Sequence, residues 1–294
     1  MGGIKEQTNG RLGYLTNEES ITLDQFKQAL LLENLYNKDI HSDHLLLRFL
    51  RARKFQIPAA KDMWAECEKW RAEFGTNTIL NDFDFPEYAL VRRIYPRFYH
   101  KVDRLGRPVY IERVGMADLK KLWAATTPER MLRNHVYEYE KLIQYRFKAC
   151  SKKSNRHFEQ STLIVDLYGV ALSTASSVYS LITQVSSISQ NYYPEMLGQM
   201  FIINAPMLFT AVWSIVKPML DEVTIRKIQI LGSGYKSTLL ESISPENLPD
   251  FLGGDCKCAC PGGCINSDIG PWNDGTVEGY PDPEFEKFIT KYGV

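Results

Sequence analysis

The segment between Asp166 and Lys217 contains about fifty residues and a single charged side chain, Glu195. About a quarter of the residues in an average domain are charged, so roughly a dozen charges are expected over this length. Helical patterns at 173–190 and 206–216 both lack the charged face of a helix that packs on one side only. This segment must therefore be covered on more than one side, by protein, by an apolar ligand or by the surface of a bilayer.

A membrane-spanning helix is one explanation for so few charges. Such a helix needs about 20 predominantly apolar residues. The most apolar part, 197–216, is interrupted by Gln199, Asn204 and Pro206, and the part before it is rich in Ser, Thr and Gln. We therefore expect burial within a domain. A cavity for an apolar ligand is favoured, and an ordinary large core is the alternative.

Helical patterns alone fill the first part of the chain. Thr16 and Glu19 have the spacing of a capping box, and Ser42 or Asp43 begins a second helix. Gly75 ends a third helix. We expect an N-terminal helical domain over residues 1–80.

Strand and helix patterns alternate over residues 81–294. A turn at Asp103–Gly106 joins two strands into a hairpin, and Pro128 opens a long helix. Three further strand patterns lie between helical ones, at 161–167, 199–204 and 227–231. This alternation predicts an α/β fold with a mixed, mostly parallel sheet and helices against it. From Pro249 onward, the composition indicates an irregular cover.

Charge and cysteine content limit the partners and the compartment. The 35 basic and 35 acidic residues give a net charge of zero, so no basic excess points to nucleic acid. The first residues contain no apolar run typical of a secretory signal, and the six cysteines are too few for a disulfide framework in a chain of this size. We expect a cytoplasmic protein with reduced thiols.

Motifs of catalytic or metal chemistry are scarce. A nucleophile motif of the G-x-S-x-G type is absent, and none of the five histidines stands in a metal-binding spacing. Four cysteines, Cys256, Cys258, Cys260 and Cys264, are closer together than the paired cysteines of ordinary zinc sites. We expect a metal-free loop of reduced cysteines, with a metal site as the alternative. No catalytic residue is predicted, so the chain is not expected to be an enzyme.

Six short blocks follow one another in an order and spacing that resembles the CRAL-TRIO family, and within it the fungal phosphatidylinositol/phosphatidylcholine transfer proteins. The blocks lie at 47–55, 99–110, 188–195, 201–206, 217–221 and 267–272. The likeness extends from about residue 15 to about residue 275. It implies a helical N-terminal tripod, a sheet that floors a lipid pocket, and a gate helix at about 206–217 that carries Phe209, Val212 and Trp213.

The resemblance also implies a site for the head group of phosphatidylinositol. The matching positions are Arg53, Lys54, Glu195, Thr224 and Lys227. The basic side chains suit a phosphodiester, and Glu195 can accept hydrogen bonds from inositol hydroxyls. Glu195 is also the lone charge of the apolar segment, so both lines of reasoning meet at this residue.

A second head-group site, for phosphatidylcholine, is implied at Tyr99, Tyr110, Tyr139 and Ser161. Aromatic faces bind choline through cation–π contacts. The family's second phosphate-binding hydroxyl is replaced by Leu163, and Met196 stands where the fungal pattern usually has Arg. We therefore expect a phosphatidylinositol binder with a weakened or different second ligand.

The predicted function is non-enzymatic transfer of one membrane phospholipid at a time. Two acyl chains hold roughly thirty methylenes, each worth about 0.8 kcal/mol out of water, so the lipid does not cross water unaided. Presentation of phosphatidylinositol to a lipid kinase uses the same pocket and stays open, as does another cargo such as a sterol or tocopherol. We expect a monomer with bound phospholipid and no cofactor, which visits Golgi or endosomal membranes transiently.

Overall fold

A computed structural model describes residues 8–170, 175–207, 209–260, 262–275 and 277 of the chain. The strands are β1 (Arg97–Val102), β2 (Pro108–Glu112), β3 (Ser161–Asp166), β4 (Leu197–Ile203) and β5 (Ile228–Ile230). The helices are α1 (Asn17–Leu32), α2 (Asp43–Ala52), α3 (Ile57–Phe74), α4 (Ile79–Asp82), α5 (Tyr88–Ile94), α6 (Leu119–Ala125), α7 (Pro128–Lys141), α8 (Phe147–Ser154), α9 (Ala175–Tyr192), α10 (Phe209–Val216), α11 (Glu222–Arg226) and α12 (Lys236–Ser242). A π-helical turn, Leu142–Arg146, joins α7 to α8.

The described residues form two compact units. A helical unit comprises residues 8–81 and 185–196, and a sheet unit comprises the remaining described residues from 82 onward. The end of α9 and the residues that follow it therefore belong to the helical unit, although they lie far along the chain from α1 to α3.

The helical unit forms where local sequence signals begin and end its helices. Thr16 and Glu19 make the predicted capping box at the start of α1. The amide of Glu19 donates to Oγ1 of Thr16 at 3.1 Å, and the amide of Thr16 donates to Oε2 of Glu19 at 2.9 Å. Ser42 Oγ accepts from the amide of Leu45 at 3.3 Å and caps α2. Gly75 ends α3 in the left-handed conformation, with φ of 77°. These three predictions are confirmed.

Apolar side chains at helical spacing form the core of the helical unit. They include Phe26 and Leu30 of α1, Leu46 and Leu50 of α2, and Trp64 of α3, all of which are fully buried. Burying each such side chain contributes about 1.5–3 kcal/mol, which is the main stabilisation of helices this short.

The sheet unit is built on a five-stranded sheet of order β1-β2-β3-β4-β5. The predicted hairpin is present: β1 and β2 are antiparallel, and Asp103 Oδ1 accepts from the amides of Leu105 and Arg107 in the turn, at 2.9 Å each. The other neighbouring strands are parallel. The predicted mixed, mostly parallel sheet is confirmed.

The two faces of this sheet differ in burial. On the packed face, Ile111, Ile164 and Phe201 are fully buried and contact Leu239 and Ile243 of α12 and its following residue. The opposite face, here called the open face, carries the half-buried side chains Tyr110, Leu163, Val165, Met200 and Ile228, with the buried Ile202 beside Val165. No helix among the described residues is long and apolar enough to cross a membrane.

Candidate functional site

The open face is an apolar surface that crosses the middle of the sheet. Tyr110, Leu163, Met200 and Ile228 are register partners on consecutive strands, so they form one row. The residues of β3 alternate between half-buried and buried, and the half-buried ones, including Leu163 and Val165, are those of the open face. Leaving such a side chain half-buried forfeits on the order of 1 kcal/mol of the stabilisation that full burial would give. A surface of this kind suits an apolar ligand.

A helix is present where the gate was expected: α10 begins at Phe209 rather than at 206. Phe209 and Trp213 are half-buried. Met207, just before the helix, is 93% exposed, and Ile215 on the helix is 57% exposed. Leu208 and the side chain of Val212 lie outside the described residues. Large apolar side chains exposed along one short segment indicate a surface that meets another apolar phase.

Three of the residues predicted for the phosphatidylinositol head group lie in the helical unit. Arg53 is the C-cap of α2, Lys54 follows it with φ of 51° and is exposed, and Glu195 has φ of 61°. Arg51, which was not among the predicted cations, lies beside Glu195, with its Nε 3.9 Å from Oε2 of Glu195. Arg51 Nη1 also donates to the carbonyl of Gly10 at 3.0 Å.

Sequence reasoning missed the role of Arg51. A signal was present, because Arg48 and Arg51 are three residues apart and lie on one face of α2. Arg48 Nε donates to the carbonyl of Pro194 at 2.9 Å. The two arginines therefore hold the Pro194–Glu195 turn against α2, and this anchors the carboxylate that the resemblance assigns to inositol.

Thr224 and Lys227 lie in the sheet unit, three residues apart on one face of the turn formed by α11 and its C-cap. Asp221 is the N-cap of this helix and accepts from the amide and the hydroxyl of Thr224, at 2.9 and 2.5 Å. Loss of solvent opposes ionisation of Asp221, but the bonds from Thr224 and the charge of Lys227 prevail and lower its pKa. Asp221 thus positions Thr224 and is a further residue that the sequence did not single out for this site.

The residues predicted for phosphatidylcholine are only partly brought together. Tyr99 and Tyr110 are register partners on β1 and β2, with ring centroids 4.8 Å apart. Both line a cavity of about 20 Å³, which is room for a water molecule. Tyr139, whose ring lies 4.5 Å from that of His135, and Ser161 at the start of β3 are not among the lining residues.

Five of the eleven residues that line this cavity are charged, which the sequence did not predict. They are Arg92, Arg97, Glu138, Arg146 and Asp268. Arg146 donates to Glu138 at 3.1 Å and to Asp268 at 3.2 Å, and its guanidinium carbon lies 4.0 Å from the ring centroid of Tyr99. Burial opposes ionisation of Glu138, yet the charges of Lys141, Arg146 and other cations lower its pKa, so the carboxylate is ionised at neutral pH.

Positions 162 and 163 face opposite sides of the sheet, as the alternation along a strand predicts. Leu163 lies on the open face, whereas Thr162 is fully buried on the packed face and its hydroxyl donates to Asp103 at 2.6 Å. Thr162 therefore cannot replace the missing hydroxyl. Met196, the other departure, is buried.

Comparison with known proteins agrees with this fold. Residues 92–254 match the sequence profile of the CRAL/TRIO domain, and residues 22–66 match that of the CRAL/TRIO N-terminal domain. In solved structures, a crystal structure of Sfh5 superposes with a TM-score of 0.61 at 18% identity, covering 76% of this chain and 83% of that one. This likeness supports the fold.

Relatives with much higher identity cover most of the chain. The Sec14 cytosolic factor of Schizosaccharomyces pombe is 50% identical over 90% of this chain and 91% of its own length. The SEC14 cytosolic factor of Kluyveromyces lactis is 47% identical over 95% of this chain and 91% of its own length. The phosphatidylinositol/phosphatidylcholine transfer protein SFH4 of Arabidopsis thaliana is 47% identical over 88% of this chain but 43% of its own length. These names describe cytosolic factors and a transfer protein rather than enzymes, in agreement with the sequence-based expectation. The chain belongs to the CRAL/TRIO domain family.

Proposed function

We propose that this chain carries one phospholipid at a time between membranes, with phosphatidylinositol as its principal cargo. The observation that carries the proposal is the open face, an apolar row that crosses four strands and is left half-buried. A curated relative that is 47% identical is named as a phosphatidylinositol/phosphatidylcholine transfer protein. Acyl chains would lie against the open face, and the charged head would lie among the polar residues assigned to it.

The head-group assignment rests on two clusters of polar side chains. In the helical unit, Arg53 and Lys54 offer cations two and three residues after Arg51, which lies beside Glu195. In the sheet unit, Thr224 and Lys227 share one face of a helical turn. We propose that the cations neutralise the phosphodiester and that Glu195 and Thr224 bind inositol hydroxyls, since carboxylates and hydroxyls accept hydrogen bonds from such groups.

Lys227→Ala tests this assignment. Lys227 is buried, and its carbonyl accepts from the amide of Met200 at 2.8 Å, a bond that alanine preserves. We expect transfer of phosphatidylinositol between vesicles to fall by about tenfold or more, because a hydrogen bond to a charged group contributes roughly 1.5–3 kcal/mol. The measurement is the transfer rate of labelled phosphatidylinositol.

Arg226→Ala is the matched control. It removes the same charge from the neighbouring residue, which is exposed at the end of α11. Transfer by this variant should remain close to wild type. Equal losses in both variants would show a general effect of net charge, and an unchanged rate in Lys227→Ala would remove this residue from the site.

The compartment and the partners follow from the same proposal. The chain would work in the cytosol and meet membranes transiently, at the Golgi or endosomes, through the exposed apolar side chains around α10. Presentation of phosphatidylinositol to a lipid kinase would use the same pocket. A sterol or tocopherol carrier is the alternative, and it would leave the cations at Arg53, Lys54 and Lys227 without a ligand to neutralise.

A further inference from the structure

Three cysteines of the C-terminal cover meet a histidine from the edge of the sheet. His100 lies on β1, and Cys256, Cys258 and Cys264 lie beyond α12. The Sγ atom of Cys258 is 3.8 Å from that of Cys256 and 3.6 Å from that of Cys264. One ligand atom from each of the four side chains lies within 4.8 Å of all the others.

These distances match the geometry of a tetrahedral metal site. Zinc binds thiolate sulfur at about 2.3 Å and imidazole nitrogen at about 2.0–2.1 Å, so tetrahedral sulfur ligands stand about 3.8 Å apart. Three cysteines and one histidine are a common donor set of structural zinc sites. The geometry points to a zinc site formed by His100, Cys256, Cys258 and Cys264.

The hydrogen bonds of His100 orient it as a ligand. Its Nδ1 atom lies 2.9 Å from Oγ of Ser267, and the Ser267 hydroxyl donates its single proton to the carbonyl of Cys264 at 3.0 Å. Nδ1 must therefore carry the imidazole proton and donate it to Ser267, which leaves a lone pair on Nε2. A second-sphere bond of this kind is typical of metal-bound histidine.

Nε2 of His100 makes no hydrogen bond within the described part of the chain. The side chain is fully buried, and Nε2 has no hydrogen-bond partner among the described residues. Buried polar atoms are normally paired. A zinc ion bound by the three thiolates would supply the missing partner.

Cys260 does not take part in this cluster. Its Sγ atom donates to the carbonyl of Gly263 at 3.2 Å. The four cysteines are too close together in sequence to form an ordinary zinc site by themselves. In the structure, Cys260 lies outside the cluster and His100 of β1 takes the fourth position. A metal-free loop was expected because His100, which lies more than 150 residues earlier in the sequence, was not considered as a fourth ligand.

A zinc ion here would fix the cover to the edge of the sheet, next to the charged cavity. The amide of Lys101, the neighbour of His100 on β1, donates to the carbonyl of Ile269 in the cover. Asp268, one residue earlier, is bound to Arg146 in the cavity lining. The role we assign to the zinc is therefore structural: it holds the segment that supplies Asp268 to the cavity.

Metal analysis of the full chain tests the site. Protein purified under reducing conditions should contain about one zinc per chain in the wild type and in Cys260→Ser, and much less than one in Cys258→Ser and in His100→Asn. Zinc retained by Cys258→Ser or His100→Asn at the wild-type level would overturn the assignment. Iron in place of zinc, or wild-type protein without metal, would do the same.

Cobalt titration of the wild type keeps the test independent of whether the variants fold. Apoprotein prepared with a chelator should bind one Co²⁺ and give the intense visible and sulfur-to-metal bands of a tetrahedral thiolate site, which zinc then abolishes. Weak octahedral bands would contradict the proposal. A count of reactive thiols that is low in the apoprotein and is restored only by a reductant would identify a disulfide instead, and would also contradict it.

Discussion

At the scale of single residues, one buried arginine determines what the aromatic cavity can hold. The Arg146 guanidinium lies 4.0 Å over the ring of Tyr99, where the cationic head of choline would make its cation–π contact. Its bonds to Glu138 and Asp268 make displacement costly, because both carboxylates would lose a buried partner. Arg146 therefore supports the expectation that phosphatidylcholine is a weak second ligand.

The second departure from the family pattern, Leu163, leads to a direct prediction. Leu163→Thr restores a hydroxyl on the open face, two residues along β3 from Ser161. We expect the amount of bound phosphatidylcholine to rise by about tenfold, since a hydrogen bond to a charged phosphate contributes roughly 1.5–3 kcal/mol. Bound phosphatidylinositol should stay unchanged. The measurement is the lipid extracted from mixed vesicles, identified by mass spectrometry.

Leu163→Val is the control for this prediction, because valine has the shape of threonine without the hydroxyl. A gain in the threonine variant alone would confirm that the hydroxyl matters. An equal gain in both variants would mean that extra space was limiting. No gain in either variant would contradict the prediction that the lost hydroxyl at position 163 weakens phosphatidylcholine binding.

At the scale of elements, α10 and the open face are both apolar and both incompletely buried. Met207 before α10 and Ile215 on it are exposed, Phe209 and Trp213 are half-buried, and α10 has no charged residue in its sequence. A surface helix of a soluble domain normally carries charged residues on its outer face. A helix that enters the bilayer interface when the pocket opens would have this composition. Such a role would explain why the sequence contains a long segment with almost no charge.

Trp213→Asp tests this role of α10. Placing a carboxylate in hydrocarbon costs about 2.5–3.5 kcal/mol at the centre of a membrane and less at its surface, so we expect transfer to fall by about tenfold or more. Thermal unfolding should shift by only a few degrees, because Trp213 is half-buried. Trp213→Leu keeps the apolar character and should retain transfer. Normal transfer by the aspartate variant would show that α10 does not enter the membrane.

Local signals explain why most elements could be predicted. The capping box at Thr16, the cap at Ser42 and the turn at Asp103 depend on residues two to four positions apart, which the sequence displays directly. The start of α10 was placed three residues too early, because Pro206 suits the first turn of a helix but precedes it here.

At the scale of the whole molecule, the contacts that sequence reasoning missed join segments far apart in the chain. Arg51 beside Glu195, Arg146 over Tyr99 and His100 beside the cysteine cluster are all of this kind. Periodicity and spacing report on neighbours along a helix or strand, and they contain no information about such pairs. The residues assigned from the resemblance to the head group, divided here between the two units, remain a proposal.

The lipid content of the purified full chain shows whether the protein carries phosphatidylinositol. Native mass spectrometry of protein isolated from eukaryotic cells should show one bound phospholipid per chain, and fragmentation should identify it mainly as phosphatidylinositol. Phosphatidylcholine should be a minor species. A chain that carries a sterol, or that contains no lipid after exposure to vesicles rich in phosphatidylinositol, would not be a phosphatidylinositol carrier.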